Sequence, residues 1–291
     1  MLVLFTDTDT DITPARAKEY GYRLISMPYS IDGKTVYPYE DFEVFDSHAF
    51  YDQLRAGVLP NTSAISTDRY IGYFEPVLKK GDDILYVHFS RNMTATFDNM
   101  DKAIEQLKVK YPDRTVYTID TKGITLNSLG VVLEVGDLYK AGKSAEEILE
   151  WAKTEVDKTA CYFFADDLKF FRHSGRVSGL AGTMGTLLGI RPIIYMNEEG
   201  KMVSVGKEKG RVKAMERLIS YVEQLGEDLK GHRVLVGSSD SKEIADEFIA
   251  MLKARFGDDL RIEYYEVNPT AGSHCGPNTL GVCFHAKRKS L

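Results

Sequence analysis

Four short stretches hold the residues whose types and spacing could do chemistry. The first, "TDTDTDIT", sets Asp7, Asp9 and Asp11 at every second position after an apolar run. Alternating acids suggest calcium, but an EF-hand loop also needs glycine at its sixth position and an acid at its twelfth. Counted from Asp7 those places hold Ile12 and Lys18, so that reading fails. The plain alternative is a solvated turn in which an aspartate caps a helix. The second stretch, "AGSHCGPNTLGVCF", puts His274 beside Cys275 at the head of an apolar run. In an extended segment neighbouring side chains point to opposite faces, so the two are not expected to form a nucleophile–base pair. Zinc needs three or four ligands, and only Cys283 and His285 are near in sequence, so no metal site is expected. Gly276 and Pro277 read as a tight turn holding His274 at a strand entrance. The third stretch, "GLAGTMGTLLG", lacks both the GxGxxG order and the GK[ST] ending of nucleotide loops. It reads as a closely packed helix whose Met184, Leu187, Leu188 and Ile190 line either an apolar tunnel or a plain core. The fourth, "HSGRVSG", turns the chain at a glycine before Arg176, which is either a surface charge or a bidentate anion clamp.

These stretches need elements to position them. Leu2–Thr6 and "DDILYVHFS" read as buried strands, and "RTVYTIDTKG" as a strand and loop. Helices are expected at Pro14 onward, Phe50–Ala56, Arg69–Lys79, after "RNMTA" through Leu107, and over Leu126–Lys140. Strand, loop and helix in alternation imply a parallel sheet covered by helices, with ligands outside the carboxyl ends of its strands. The loops at Asp7, Thr62, Thr94 and Asp120 are expected there. "LISMPYSIDGKTVYPYED" reads as small antiparallel strands around an Asp32–Gly33 turn. A second unit opens near Lys158 with the strand "TACYFFAD", then a helix, a glycine-rich connector, a helix and a strand. "SYVEQLGEDLKGHRVLVGSS" and "RIEYYEVNPTAGSHCGPNTLGVCF" read as further strands, and "SKEIADEFIAMLKARF" as an amphipathic helix.

The 291 residues suffice for two domains, and 43% hydrophobic with 27% charged residues is an ordinary globular balance. A net charge of −6 argues against a nucleic-acid partner. The start "MLVLFTDTDTD" has no basic region and too short an apolar run for a signal peptide, and no run is long enough to cross a bilayer. Cys161, Cys275 and Cys283 form an odd set without CxxC spacing, so reduced thiols and a cytoplasmic location are expected.

Two families share features with this chain. "LVLF" followed by "DTDIT" resembles the haloacid dehalogenase-like phosphohydrolases, which would make Asp7 or Asp9 a nucleophile and give "YFFADD" the magnesium-binding acids. The wider resemblance is to the DegV family of bacterial fatty-acid-binding proteins, which includes the acyl-carrying subunit of fatty acid kinase. "TDTDTDI" is similar to its TDSTADL, "NTSAIST" to its TSQPS loop, and "FSRNMTATF" to its SSxLSGTY loop. "DTKG" stands where DSxS is expected, "LKFFRHSGRVSG" resembles LxxLxxGGRI, and "HCGPNTLGVCF" resembles HxGPGxLGxxF. The order and spacing of these six, from Leu2 to Phe284, carry the resemblance. There are departures. Thr94 and Ala95 replace the serine and glycine of SGT, Arg91 replaces a serine, and Asn278, which tolerates positive φ, replaces a glycine.

What this resemblance implies is an α/β protein of two domains. A parallel-sheet, three-layer α/β/α N-terminal domain with a small β insertion would span 1–157, and a two-layer α/β mixed-sheet C-terminal domain 158–291. A long-chain fatty acid would lie between them. Burying about sixteen carbons at ~0.8 kcal/mol per methylene gains on the order of 12 kcal/mol gross, and the carboxylate must then be satisfied. Thr62, Ser63 and Thr94 would supply hydroxyls, and Ala95 and Thr96 backbone N–H groups. Arg176, His274 and Gly276 would lie beside the same head group. The resemblance also implies a carrier without catalytic residues, metal or cofactor, presenting its acyl group to a separate ATP-dependent kinase and touching membranes at most transiently.

Overall fold

Apolar runs closed by acidic or glycine turns become the strands of a first sheet in the computed structural model, which describes residues 1–178 and 189–291. Strand β1 (Leu2–Asp7) runs through a single 3-10 turn (Thr8–Thr10) into α1 (Pro14–Tyr20). Thr13 caps that helix by accepting from Arg16 N at 3.3 Å, and Pro14 occupies its first turn, where no donor is needed. After β2 (Tyr22–Ile25) the chain makes a hairpin of β3 (Tyr29–Ile31) and β4 (Lys34–Val36), turned by Asp32 and Gly33 at φ 51° and 77°. Then come α2 (Ser47–Arg55), β5 (Asn61–Thr62), α3 (Thr67–Leu78), β6 (Asp83–His88), α4 (Thr96–Lys110), β7 (Val116–Asp120), α5 (Leu126–Lys140) and α6 (Ala145–Glu155).

The order β2-β1-β6-β7 is parallel throughout, and β4-β3-β5 forms a separate small sheet. Side chains alternate across a strand, so Phe5, Ile84 and Tyr86 pack under Phe74, Val77, Phe97 and Met100 of α3 and α4. Leu4, Leu85, Val87 and Ile119 face the other way, onto α1, α5 and α6. This gives the three layers expected. β2, however, is the edge of the parallel sheet and not part of the insertion: Leu4 pairs with Tyr22 and Asp7 with Ile25.

The second half contributes β8 (Thr159–Phe164), α7 (Lys169–Ser174), β9 (Val177–Ser178), β10 (Ile190–Met196), β11 (Met202–Lys209), α8 (Arg211–Leu225), β12 (Val234–Ser238), α9 (Lys242–Phe256), β13 (Ile262–Glu266), α10 (Pro269–Cys275) and β14 (Leu280–His285). Seven strands form a mixed sheet in the order β13-β12-β14-β8-β10-β11-β9. One face, with Tyr162, Val234, Val236, Val282 and Phe284, is covered by Leu218 and Val222 of α8 and Phe248 and Leu252 of α9. Two segments read as strand are helical. Ser220–Leu225 ends α8, whose Ala214, Leu218, Tyr221, Val222 and Leu225 recur at helical spacing and point at the sheet. His274 and Cys275 close α10, which Asn268 caps by accepting from Ala271 N at 2.9 Å.

One helix joins the two sheets. α5 is apolar almost all round, as a helix buried on both sides must be. Its Leu129, Val131, Val132 and Leu133 share a core with Leu4 and Val87 of the parallel sheet and with Cys161, Leu235 and Cys283 of the mixed one.

Candidate functional site

The loops after β1, β6 and β7 open toward the face of the mixed sheet that α8 and α9 leave uncovered. Strand β5 and helix α10 close the sides. Between them lies a cavity of about 1030 Å³ of non-atom space, counting solvent at its mouth. Its body is apolar: Met27, Phe89, Met93, Phe163, Phe171, Met196, Met202 and Val267 line it. Those residues were not singled out from the sequence, because only the pairing of two sheets brings them together. Of the loops expected to reach a site, Thr62 lies in β5 of the small sheet, not past a strand of the parallel one. Asp120 is spent accepting from Lys122 N at 2.8 Å and is not among the lining residues.

Six of the eight residues named from the resemblance line this one cavity: Thr62, Ser63, Thr94, Thr96, Arg176 and His274. Thr62 Oγ1 and His274 Nε2 lie 3.0 Å apart. Burial, with Arg176 and His173 nearby, holds the imidazole pKa down at about 4, so the ring is neutral at pH 7. A neutral ring has one donor and one acceptor nitrogen. Thr62 engages Nε2, and Nδ1 is buried with no partner among the described residues. Arg176 follows Gly175, which ends α7 at φ 65°. Its Nε donates to Met93 O at 3.1 Å and its Nη1 to Ser174 O at 2.7 Å, and no carboxylate pairs with it among the described residues. Thr94 Oγ1 accepts from Thr96 N at 3.1 Å. Thr96 Oγ1 accepts from Ile65 N at 3.1 Å and so ties the β5–α3 loop to α4.

The other two sit differently. Ala95 is the exposed N-cap of α4, and neither it nor Gly276 is among the lining residues. Gly276 ends α10 at φ 71°, and a Cβ there would stand 2.1 Å from the Phe170 ring. Only glycine satisfies both demands. Asn278 has the positive φ its type allows, 61°.

Because α10 is a helix, the opposite-face argument for His274 and Cys275 does not apply. The thiol is separated from the imidazole in another way: Cys275 Sγ lies 3.5 Å from Gly276 O, and burial pushes its pKa up to about 12. Arg91 lies outside the cavity, with Asp101 held by both its Nη1 and Nη2 at 3.0 and 3.1 Å. Met184, Leu187 and Leu188 lie outside the described residues.

The three aspartates are not a solvated turn. Asp7, Asp9 and Asp11 are all buried. Asp7 does cap the 3-10 turn, accepting from Asp9 N at 3.0 Å, and it also accepts from Tyr86 OH at 3.0 Å and Phe89 N at 3.2 Å. Asp11 accepts from Asn268 N and Nδ2 at 2.9 and 2.7 Å, which fixes the start of α10 against the turn. Burial raises the pKa of each to about 7 despite these bonds. Asp9 lines the cavity, and burial together with its two acidic neighbours raises its pKa well above the ordinary value. The phosphohydrolase arrangement is not formed. Asp166 is bound by Arg191 at 2.6 Å and Arg211 at 3.1 Å, and Asp167 caps Lys169 N at 2.8 Å. Among the described residues, the one group of three candidate ligands with atoms within 4.8 Å of one another is His48, Asp52 and Asp240, which holds none of these acids. Arg55 already pairs with its Asp240. No described helix is long and apolar enough to cross a membrane.

Comparison with known proteins gives one consistent answer. Residues 1–287 match the model of the family described as "Uncharacterised protein, DegV family COG1307". A DegV domain-containing protein of Clostridium perfringens (strain 13 / Type A) is 31% identical over 283 residues, 97% of this chain and 96% of its own. The crystal structure of DegV, a fatty acid binding protein from Bacillus subtilis, superposes with TM-score 0.83 at 23% identity, covering 98% of this chain and 99% of that one. A DegV family protein from Eubacterium eligens loaded with heptadecanoic acid gives TM-score 0.84 at 20% identity, covering 99% and 100%.

Proposed function

This chain belongs to the DegV family, and on that premise we propose that it binds a long-chain fatty acid in the cavity between its two sheets. One observation carries the reading: an apolar cavity whose mouth gathers hydroxyls, a neutral imidazole and an arginine with no described carboxylate partner. That combination suits an alkyl chain ending in an anion. The ligands named for the Bacillus subtilis and Eubacterium eligens structures support it.

In this reading the carboxylate lies among Thr62, Ser63, Thr94 and His274 Nδ1, with Arg176 alongside and backbone N–H groups around Ala95 and Thr96. The tail fills the Phe and Met walls, where most of the affinity arises at ~0.8 kcal/mol per buried methylene. The chain divides at residues 157 and 158 between a carboxylate-binding domain and one that closes over the tail. It acts as a carrier, without chemistry of its own, and presents the acyl carboxyl to a separate ATP-dependent kinase in the cytoplasm. The experiment is native mass spectrometry of the purified protein before and after delipidation, followed by titration with palmitate and stearate. A mass increment equal to one fatty acid is expected. A protein that is empty as purified and takes up neither acid overturns the reading.

A further inference from the structure

We propose that the acyl chain this cavity selects carries a hydroxyl group along its length, received by Asp9 and Thr125. The inference rests on the fatty-acid reading above and specifies its substrate. Asp9 is 5% exposed and lines the cavity, and its Oδ1 is buried with no hydrogen-bond partner. No hydrogen bond among the described residues reaches either oxygen of its carboxyl group. Its neighbours in the turn differ: Asp7 accepts three bonds from the fold and Asp11 two, both on Oδ1, and although Asp11 Oδ2 is also without a partner among the described residues, neither residue lines the cavity. Among the described residues no bond links the Asp9 side chain to Thr62, Thr94, Arg176 or His274. A plain alkyl chain is a poor occupant beside such a group, because a buried polar atom left unpaired is costly.

Thr125 is the second observation. It lies in the same cavity wall, with its N–H donating to Asp9 O at 2.8 Å. It sits at φ 52°, ψ −129° at the N-cap of α5, yet its side chain makes no capping bond. A β-branched residue in that region is strained, and glycine would relax it. A threonine held there without a cap has a spare hydroxyl. Burial beside Asp7 and Asp11 favours the protonated form of the Asp9 carboxyl, which both donates and accepts, as does the Thr125 hydroxyl. An alcohol, itself donor and acceptor, complements both. An ammonium group would need Asp9 ionised, which its surroundings oppose.

The test uses the delipidated full chain and compares equilibrium affinity for stearate with that for hydroxystearates whose hydroxyl is placed at successive mid-chain carbons. The best isomer is expected to bind at least about fivefold tighter than stearate, the value of roughly one hydrogen bond. Asp9→Leu is expected to reverse that order, whereas Asp9→Asn, which can still donate and accept, keeps it. Thr125→Val is expected to lower the preference in part. If stearate binds as tightly as every hydroxystearate, the inference fails while the fatty-acid reading stands. If none of these acids binds, both fail. Should Asp9→Leu not fold, the wild-type ratio and Asp9→Asn still decide.

Discussion

The mouth of the cavity and the turn behind β1 are both polar, but the first is partly open to solvent, the second is buried, and they are polar in opposite senses. At the mouth stand hydroxyls, an imidazole held neutral and an arginine bonded to carbonyls. In the turn stand three carboxyls whose protonated forms are favoured by burial. In the proposed reading the first suits a ligand carboxylate, whereas protonated carboxyls in the second suit an uncharged polar group. The difference also separates two kinds of buried polar group. Asp7 has both oxygens occupied, by Asp9, Tyr86 and Phe89, and Asp11 holds Asn268 through Oδ1, its Oδ2 lying buried without a described partner but away from the cavity lining. His274 and Asp9 keep bonding capacity that the fold does not use. Spare capacity on the cavity wall, more than polarity alone, marks where a ligand fits.

The acidic turn gives the largest expected effect. Unfolded aspartates release their protons near pH 4, whereas Asp7 and Asp11 in the fold hold theirs to about pH 7. Between those values the folded state binds more protons than the unfolded state, so stability falls as pH rises. It is fully present below about pH 4 and is lost through about pH 7. Each such group contributes a slope of up to about 1.4 kcal/mol per pH unit. Urea denaturation at a series of pH values should show this decline, and Asp7→Asn should flatten it by one group. Parallel profiles for the two proteins would mean that the turn is ionised in the fold, and the contrast with the mouth would collapse.

The mouth gives the next effect. Thr94→Val is nearly isosteric and removes a hydroxyl that, among the described residues, makes only the local bond from Thr96 N. Fatty-acid affinity, measured by calorimetry, should weaken by about 1.5–3 kcal/mol with little change in stability. Equal affinity in the variant would move the carboxylate away from this loop. The smallest effect belongs to Arg91, whose partner Asp101 is also on the surface. Arg91→Ala should cost under about 1 kcal/mol of stability and leave binding of the fatty acid unaltered. A marked loss of binding would extend the mouth to a residue that lies outside the cavity.

Much of this was legible in the residues. The helix over Leu126–Lys140 and the turn at Asp32–Gly33 follow from local pattern and turn chemistry; the helix bounds hold, while the hairpin strands are shorter than the stretch read for them. The helix bearing His274 was missed although its signals are local: Asn268 and Pro269 stand at the cap and first position, and Gly276 ends it. Reading "GSHCGPN" as a strand entrance gave weight to the following apolar run and overlooked them. The burial of Asp9 is a different matter. "TDTDTD" reads as solvated because nothing within it is apolar. What buries it is α5 and α10, which come more than a hundred residues later in the chain. Likewise, the Phe and Met walls become walls only when two sheets face each other, and no periodicity within one strand contains that.

Helix α5, apolar on both sides and packed on both sheets, also sets how the molecule comes apart. Removing either sheet would bare one flank of this helix and break the core it shares with both. The two halves are therefore expected to melt in a single cooperative transition, and the amides of α5 to be among the slowest to exchange with solvent. The expected thermodynamic unit is the whole chain.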